Sequence, residues 1–454
     1  MKDRTIEQIN NKIKKGKVKV VTAEEMKQIV KESGLEKAYE IVDVVTCATF
    51  GAMCSSGVFL NFGHSDPPIK MTKVWLNDVP AYTGIAAVDA YIGATELSEK
   101  EGFNYGGANV IEDLVKGKNI KLKAISHGTD CYPRKELETW ININQINQAI
   151  MVNPRNSYQK YNAATNSSDM TIYTYMGKLL PNMGNITYCG SGELSPLNND
   201  PDYETIGLGT RIFLGGDQGY IIGSGTQHSP KSGLGTLMIK GNLKKMKPEY
   251  IKAAQINGYG VSLYVGIGVP IPILNIEIAR KTSVSDRDIY TNIIDYSFKR
   301  RSKPILKKVS YEELKSGYVE LNGKMIKTAS ISSLYMAKKI ANILKDWIEN
   351  GLFYLTMPVE RLNNNSEVKN LEIKEYYFED NFENNNLPKI EILGNSKIRW
   401  DNSKCINCGY CTSLCQYDVF KIDKNQKIAF NPDNCTKCGN CKDICPLKAI
   451  DLGD

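Results

Sequence analysis

CINCGYCTSLC (405–415) and CTKCGNCKDIC (435–445) decide the architecture of the last part of this 454-residue chain. Each run spaces its cysteines C-x-x-C-x-x-C-x-x-x-C. That spacing suits a 4Fe–4S cubane: three thiolates two residues apart wrap one face, and the fourth is carried to a neighbouring cluster. Cys405, Cys408, Cys411 and Cys445 are therefore expected to hold one cluster, and Cys435, Cys438, Cys441 and Cys415 the second. Zinc is the competing reading of paired C-x-x-C, but a tetrahedral site takes four ligands and leaves the third cysteine of each run unexplained. The runs repeat with a period of thirty residues, as when one turn–helix unit is duplicated about a pseudo-twofold axis.

The stretch resembles two-cluster ferredoxins throughout, with one departure: Pro446 follows the last cysteine of the second run, whereas Gln416 stands at the matching place in the first. The resemblance implies a small ferredoxin-like α+β domain over 397–454. Residues 1–361 are long enough for a separate catalytic body, expected to be α/β or α+β with mixed sheets. Residues 362–396, rich in Asn, Glu and Lys and ending near NFENNNLP, read as a linker.

Eight of the twelve cysteines belong to the two runs, and residues 1–16 carry no signal-peptide pattern. Both point to a reducing cytoplasm, that of an anaerobe given the oxygen sensitivity of exposed clusters. The most apolar window, 261–278, is broken by Gly266, Gly268, Pro270, Pro272, Asn275 and Glu277, so it reads as a buried core segment and not a membrane span. Two oxidised clusters with their thiolates, about −2 each, lower the formal charge of +7 to about +3. Neither nucleic acid nor membrane is expected as a partner, and homo-oligomerisation is left open.

Along the body, 5–15 and 22–33 read as amphipathic helices, the second opened by a Thr22/Glu25 capping box and closed by Gly34. A strand-like run, 41–45, leads into TCATFGAMCSSG. There Cys54 lies between Gly51 and Gly57 beside Ser55 and Ser56, in a turn whose N–H groups and hydroxyls suit a thiolate. Composition equally fits a small buried cysteine there, and Cys47 reads as core. After a helix at 108–116 and a strand at 120–125 comes the loop SHGTDCYPRK (126–135). In it Cys131 is flanked by His127, Arg134 and Lys135, either a nucleophile with cationic neighbours or a solvated turn. Cys189, in Tyr-Cys-Gly-Ser-Gly, reads as structural. The glycine-rich stretch 207–235 lacks any phosphate-loop motif and reads as short strands and tight turns, with Arg211 and His228 as candidate ligand contacts. Arg155 and Arg211 suit a carboxylate, which Arg binds bidentately. Residues 287–299 and 330–350 read as helices.

The long motifs FGAMCSSGVFLNFGHSDPPIKM (50–71), GTDCYPRK (128–135), NPRNSYQKYNAATN (153–166), TYMG (174–177), SGELSPLNNDP (191–201), GTRIFLGG (209–216) and GTQH (225–228) resemble the homocysteine biosynthesis family of anaerobic microbes. The likeness runs from about 40 to 360. It implies an enzyme that converts L-aspartate semialdehyde and sulfide equivalents to L-homocysteine, with paired cysteines matching Cys54 and Cys131. It also implies electrons supplied by a ferredoxin-type partner, here fused. The chemistry agrees: turning an aldehyde into a thiol consumes hydrogen sulfide, two electrons and two protons and releases water. Two one-electron clusters match that requirement, one cysteine would carry sulfur as a persulfide or hemithioacetal adduct, and the other would resolve it as a disulfide. His127 is the candidate proton donor. The small-molecule partners are then the semialdehyde and a sulfide or persulfide donor, with a low-potential electron donor upstream. An electron-transfer adaptor, or a reductive enzyme for another aldehyde or thiol donor, are the alternatives.

Overall fold

The computed structural model describes residues 3–85, 89–371, 398–441 and 444–452. Its centre is the strand Gly260–Pro272, buried at every position. This is the apolar window of the sequence, and its glycines and prolines sit inside a sheet rather than interrupting a helix. Val44–Ala52 pairs with it antiparallel over nine residues, from Val44 opposite Pro272 to Ala52 opposite Tyr264. Outward from this pair the ten-stranded sheet continues through Arg211–Leu214, Asp217–Ser224, Leu237–Asn242, Gln148–Asn156 and Gly57–Asn61 to Ala90–Gly93; Ile251–Ile256 also pairs with the central strand. The mixed sheets expected for the body are present.

The helix Leu334–Glu349 lies over the central pair with Leu334, Ala337, Ile340, Ala341, Leu344 and Ile348 buried, as its periodicity predicts. Each of its fully buried Leu and Ile side chains is worth about 1.5–3 kcal/mol. Thr22 and Glu25 form the predicted capping box of Ala23–Ser33. Two local expectations fail. Ile41 closes a helix, Leu35–Ile41, so the strand begins only at Val44. The 287–299 region holds the strand Tyr290–Asp295, because pairing on both sides, with Ala163–Thr165 and Ile305–Ser310, overrides its helical pattern.

That strand belongs to a six-stranded sheet, Ile305–Ser310, Tyr290–Asp295, Ala163–Thr165, Ile186–Tyr188, Lys324–Ser330 and Tyr318–Leu321, with parallel pairs at 163–165/293–295 and 186–188/328–330. Glu360–Arg361 pairs with Gly207–Leu208, and Leu362 is buried. Most of the expected linker, 372–396, lies outside the described residues. Among the described residues no helix is long and apolar enough to cross a membrane.

The C-terminal unit has two short antiparallel pairs, Ile398–Trp400 with Ile450–Leu452 and Phe420–Ile422 with Ile428–Phe430. Its thirty-residue repeat is written into the backbone. Asn407 and Lys437, Gly409 and Gly439, and Asp418 and Lys448 all adopt positive φ at matching places.

Candidate active site

Cys54 sits in the turn that ends Val44–Ala52 and begins Gly57–Asn61, and neighbouring strands hold that turn by several bonds. Met53 N–H donates to Leu263 O at 2.7 Å, Ser56 Oγ donates to Met53 O at 2.8 Å, and Asn153 Nδ2 donates to Ser56 Oγ at 2.7 Å. Ser55 Oγ donates to Arg155 O at 3.1 Å. The thiol lies 3.1 Å from Ser262 Oγ and is half-buried. A short Gly/Ser turn thus becomes a rigid mount, closed on itself by Ser56 and Met53 and tied to the sheet through Leu263, Asn153 and Arg155.

Around this thiol stand tyrosines. Tyr158 and Tyr161 have ring centroids 4.8 Å apart, Tyr175 is 6.1 Å from Tyr259 and 5.9 Å from Tyr296, and the hydroxyls of Tyr161, Tyr175 and Tyr296 form a chain with 2.7 Å links. Burial raises Tyr259 well above its ordinary value, and the Cys54 sulfur beside it adds to the shift. Tyr158 is pushed up to about 12 by burial, with Arg155 opposing and the sulfurs of Cys189 and Cys54 both contributing. Arg155 bonds Gln227 through its guanidinium, and its Nε is buried without a partner. This leaves a cation with unused donor capacity next to Tyr158, whose shift Cys54 also influences.

Sequence reading set Cys189 aside, yet it faces the same enclosure. It shares a small cavity with Ala52, Met53, Tyr158, Ser157 and Ser191, and burial pushes its thiol up to about 12. The tyrosines of 158–161 belong to a polar stretch whose Asn and Tyr content was the available signal. Nothing local marked Tyr259 or Ser262, which reach Cys54 only through the hairpin Ile251–Ile256/Gly260–Pro272.

Cys131 and His127 are exposed on the 126–135 loop. That loop is tied to the far side of the Cys54 strand, where Arg134 donates to Pro67 O at 2.9 Å and Asp66 O at 2.6 Å. The strand Gly57–Asn61, which separates the Cys54 turn from Asp66 and Pro67, itself spans about 13 Å at 3.3 Å per residue. Among the described residues, neither Cys131 nor His127 contacts Cys54. Arg211 donates to Tyr354 O at 3.3 Å and lies against the rings of Tyr220 and Phe353, clamping the end of the body. His228 is buried, with Nδ1 accepting from Thr236 N–H at 3.0 Å and Nε2 donating to Asn363 O at 3.1 Å, so neither nitrogen is left for a ligand.

In the C-terminal unit Cys405, Cys408, Cys411 and Cys445 line one apolar cavity with Trp400, Ile406 and Leu447. Cys441 lies within electrostatic reach of Cys415, Cys435 and Cys438. Burial raises the thiols of Cys408 and Cys411, and iron, which displaces those protons, supplies the charge such a pocket lacks. Backbone N–H groups of Asn407, Val419, Lys437 and Ala449 donate to the sulfurs of Cys405, Cys415, Cys435 and Cys445 at 3.2–3.4 Å, at equivalent positions of the repeat. The donor set, all thiolate with amide support, fits 4Fe–4S.

The unit is docked on the body beside Cys54. Gln255 N–H donates to Pro446 O at 2.8 Å, Ser333 Oγ donates to Ile406 O, and Tyr410 Oη donates to Met176 O at 3.2 Å. Lys327 Nζ donates to Cys415 O at 2.7 Å and pairs with Asp418 at 2.8 Å.

A mixed-sheet body with a tyrosine-walled thiol, joined to a thiolate-rich unit that accommodates iron–sulfur clusters, defines a redox enzyme with sulfur chemistry at its centre. Residues 18–355 match the family described as "homocysteine biosynthesis enzyme, sulfur-incorporation", and 398–452 match the 4Fe–4S dicluster domain. The chain belongs to the homocysteine biosynthesis family and is a sulfurtransferase carrying an iron–sulfur domain. It is 59% identical over 371 residues to an L-aspartate semialdehyde sulfurtransferase of Methanosarcina acetivorans, covering 82% of this chain and 74% of the relative. It is 55% identical over 374 residues to one of Methanocaldococcus jannaschii, covering 79% and 73%. No solved structure matches the chain.

Proposed function

We propose that this protein converts L-aspartate semialdehyde and sulfide equivalents to L-homocysteine in a reducing cytoplasm, with Cys54 as the reacting thiol. The observation that carries this reading is Cys54 itself, half-buried against Ser262 with Tyr259 and Tyr158 next to it and Arg155 on Tyr158. The relatives named for this activity support it. Arg155 would hold the substrate carboxylate, and the tyrosine hydroxyls would hydrogen-bond the aldehyde oxygen as it leaves as water. Aldehyde, hydrogen sulfide and two cysteine thiols give the product thiol, water and a disulfide; two electrons and two protons then return the thiols. Cys405, Cys408, Cys411 and Cys445 would hold one 4Fe–4S cluster and Cys415, Cys435, Cys438 and Cys441 a second, and each cluster would supply one electron. Cys131 is the second thiol of this reading. Its exposed loop suits sulfur uptake from a donor in solution, and pairing with Cys54 requires the loop to swing inward.

The test is an anaerobic assay with the semialdehyde, sulfide and a low-potential reductant. Wild-type protein should form homocysteine, and Cys54→Ser should form none while keeping its iron, since serine is a far poorer nucleophile and carries no persulfide. Full turnover by Cys54→Ser would remove Cys54 from the chemistry.

A further inference from the structure

The C-terminal unit presents its two ligand sets to the body unequally. Pro446, directly after the ligand Cys445, accepts the bond from Gln255 N–H at 2.8 Å. Gln255 adjoins Ala254, which pairs across the hairpin with Ser262, and Ser262 Oγ lies 3.1 Å from Cys54 Sγ. Two residues along the same strand face, Tyr264 packs in the apolar cluster that contains Ile406, Cys408 and Leu447. Its hydroxyl donates to Ile331 O at 2.6 Å and its ring lies 5.6 Å from that of Phe50. The other set reaches the body through Lys178 Nζ to Asn440 Oδ1 and Lys327 Nζ to Cys415 O, and its Cys438 is exposed.

We propose that the set Cys405, Cys408, Cys411 and Cys445 is the inner electron site, delivering electrons to Cys54 through Pro446, Gln255, Ser262 and the Tyr264 ring, while the set containing Cys438 is the outer site that receives them. Cys131 lies off this route. Ser262 and Tyr264 are positioning residues, holding the thiol and the inner ligands against one strand. The proposal rests on Cys54 as the thiol to be reduced, but not on the identity of the aldehyde.

The test needs no substrate. In the iron-loaded full chain, Cys54 is converted to its methyl disulfide with methyl methanethiolsulfonate in a Cys131→Ser background, and Cys131 likewise in a Cys54→Ser background. The clusters are then photoreduced anaerobically. The reaction Cys–S–S–CH3 + 2e− + 2H+ → Cys–SH + CH3SH draws one electron from each cluster, so it is followed both as return of the oxidised-cluster absorbance and as recovery of the free thiol. The label on Cys54 should be lost several-fold faster than that on Cys131. Ser262→Ala should slow its loss several-fold, and Ser262→Thr, which keeps the hydroxyl, should restore it. Equal rates at the two thiols, or an unchanged rate in Ser262→Ala, would overturn the route. So would refusal of Cys54 to take the label, because a thiol closed to so small a reagent is no terminus for a reducing path. Release from Cys54 without semialdehyde turnover would keep the route and discard the substrate reading.

Discussion

Arg155 and Arg211 look equivalent as residue types, and each has a buried Nε without a partner, but their surroundings differ. Arg155 holds Ser55 of the Cys54 turn through its carbonyl, whereas Arg211 donates to Tyr354 O and lies against two aromatic faces. Arg155→Lys should raise KM for the semialdehyde with little change in melting temperature, because ammonium lacks the planar fork. Arg211→Lys should leave KM alone and lower stability by about 1 kcal/mol through lost stacking and hydrogen bonding. Steady-state kinetics and thermal melts of both variants check this, and a raised KM in Arg211→Lys alone would exchange the roles. His228 makes a separate pH prediction. Burial lowers its pKa below the ordinary 6.5, so the unfolded chain takes up a proton that the folded chain refuses. Its contribution is therefore fully present above 6.5 and is lost as pH falls from there through the folded value. Melting temperatures from about pH 7.5 to about pH 5.5 should fall more steeply for wild type than for His228→Gln. Parallel slopes would assign the pH dependence to other groups.

At the scale of elements, the turn Thr174–Met176 before Gly177–Leu179 forms part of the interface with the iron–sulfur unit, through Met176 O and Tyr410 Oη. Gly177 has φ +88°, and a Cβ there would meet the Tyr410 hydroxyl. Gly177→Ala should both strain the backbone and displace Tyr410, costing roughly 1–3 kcal/mol for the conformation alone. The expected result is a lower melting temperature for the iron–sulfur absorbance than for the far-ultraviolet signal of the body, where wild type melts as one. Coincident melts at the wild-type temperature would show that Tyr410 does not anchor the unit. The same element scale explains which local readings held. Ala23–Ser33 and Leu334–Glu349 are specified by caps and a 3.6-residue stripe, both contained in the segment itself. Tyr290–Asp295 is specified by two partners distant in sequence, which its own residues do not announce.

For the whole molecule, iron is part of the fold. The core of the C-terminal unit contains Cys415 and Cys441 beside Ile398, Val419, Phe420 and Ile450, a core too small to stand alone without a staple. Protein prepared without oxygen should contain about eight iron and about eight acid-labile sulfide per chain. Removing the iron with a chelator should unfold the C-terminal unit and lower the body's melt only modestly, since the largest body cluster is built from the body alone while smaller ones share Ile406, Tyr410 and Leu414 with that unit. Stoichiometric zinc without a sulfur-to-iron charge-transfer band would refute the cluster assignment.

The amino-acid sequence by itself determined what is local. The cluster ligands lie within two short runs whose spacing matches a cubane, the helices carry their own caps, and Cys54 stands in a turn that its neighbours define. The company that Cys54 keeps was decided only by tertiary structure. Ser262 and Tyr259 reach it because Val44–Ala52 pairs with a strand more than two hundred residues later, and the C-terminal unit docks on the same hairpin through Gln255 and Pro446. The exposed position of Cys131 was equally out of reach of the sequence. Its flanking His127 and Arg134 resemble an activated thiol in one dimension, but Arg134 is tied to the backbone of Asp66 and Pro67. Pairings between distant segments depend on complementary burial that neither partner encodes alone.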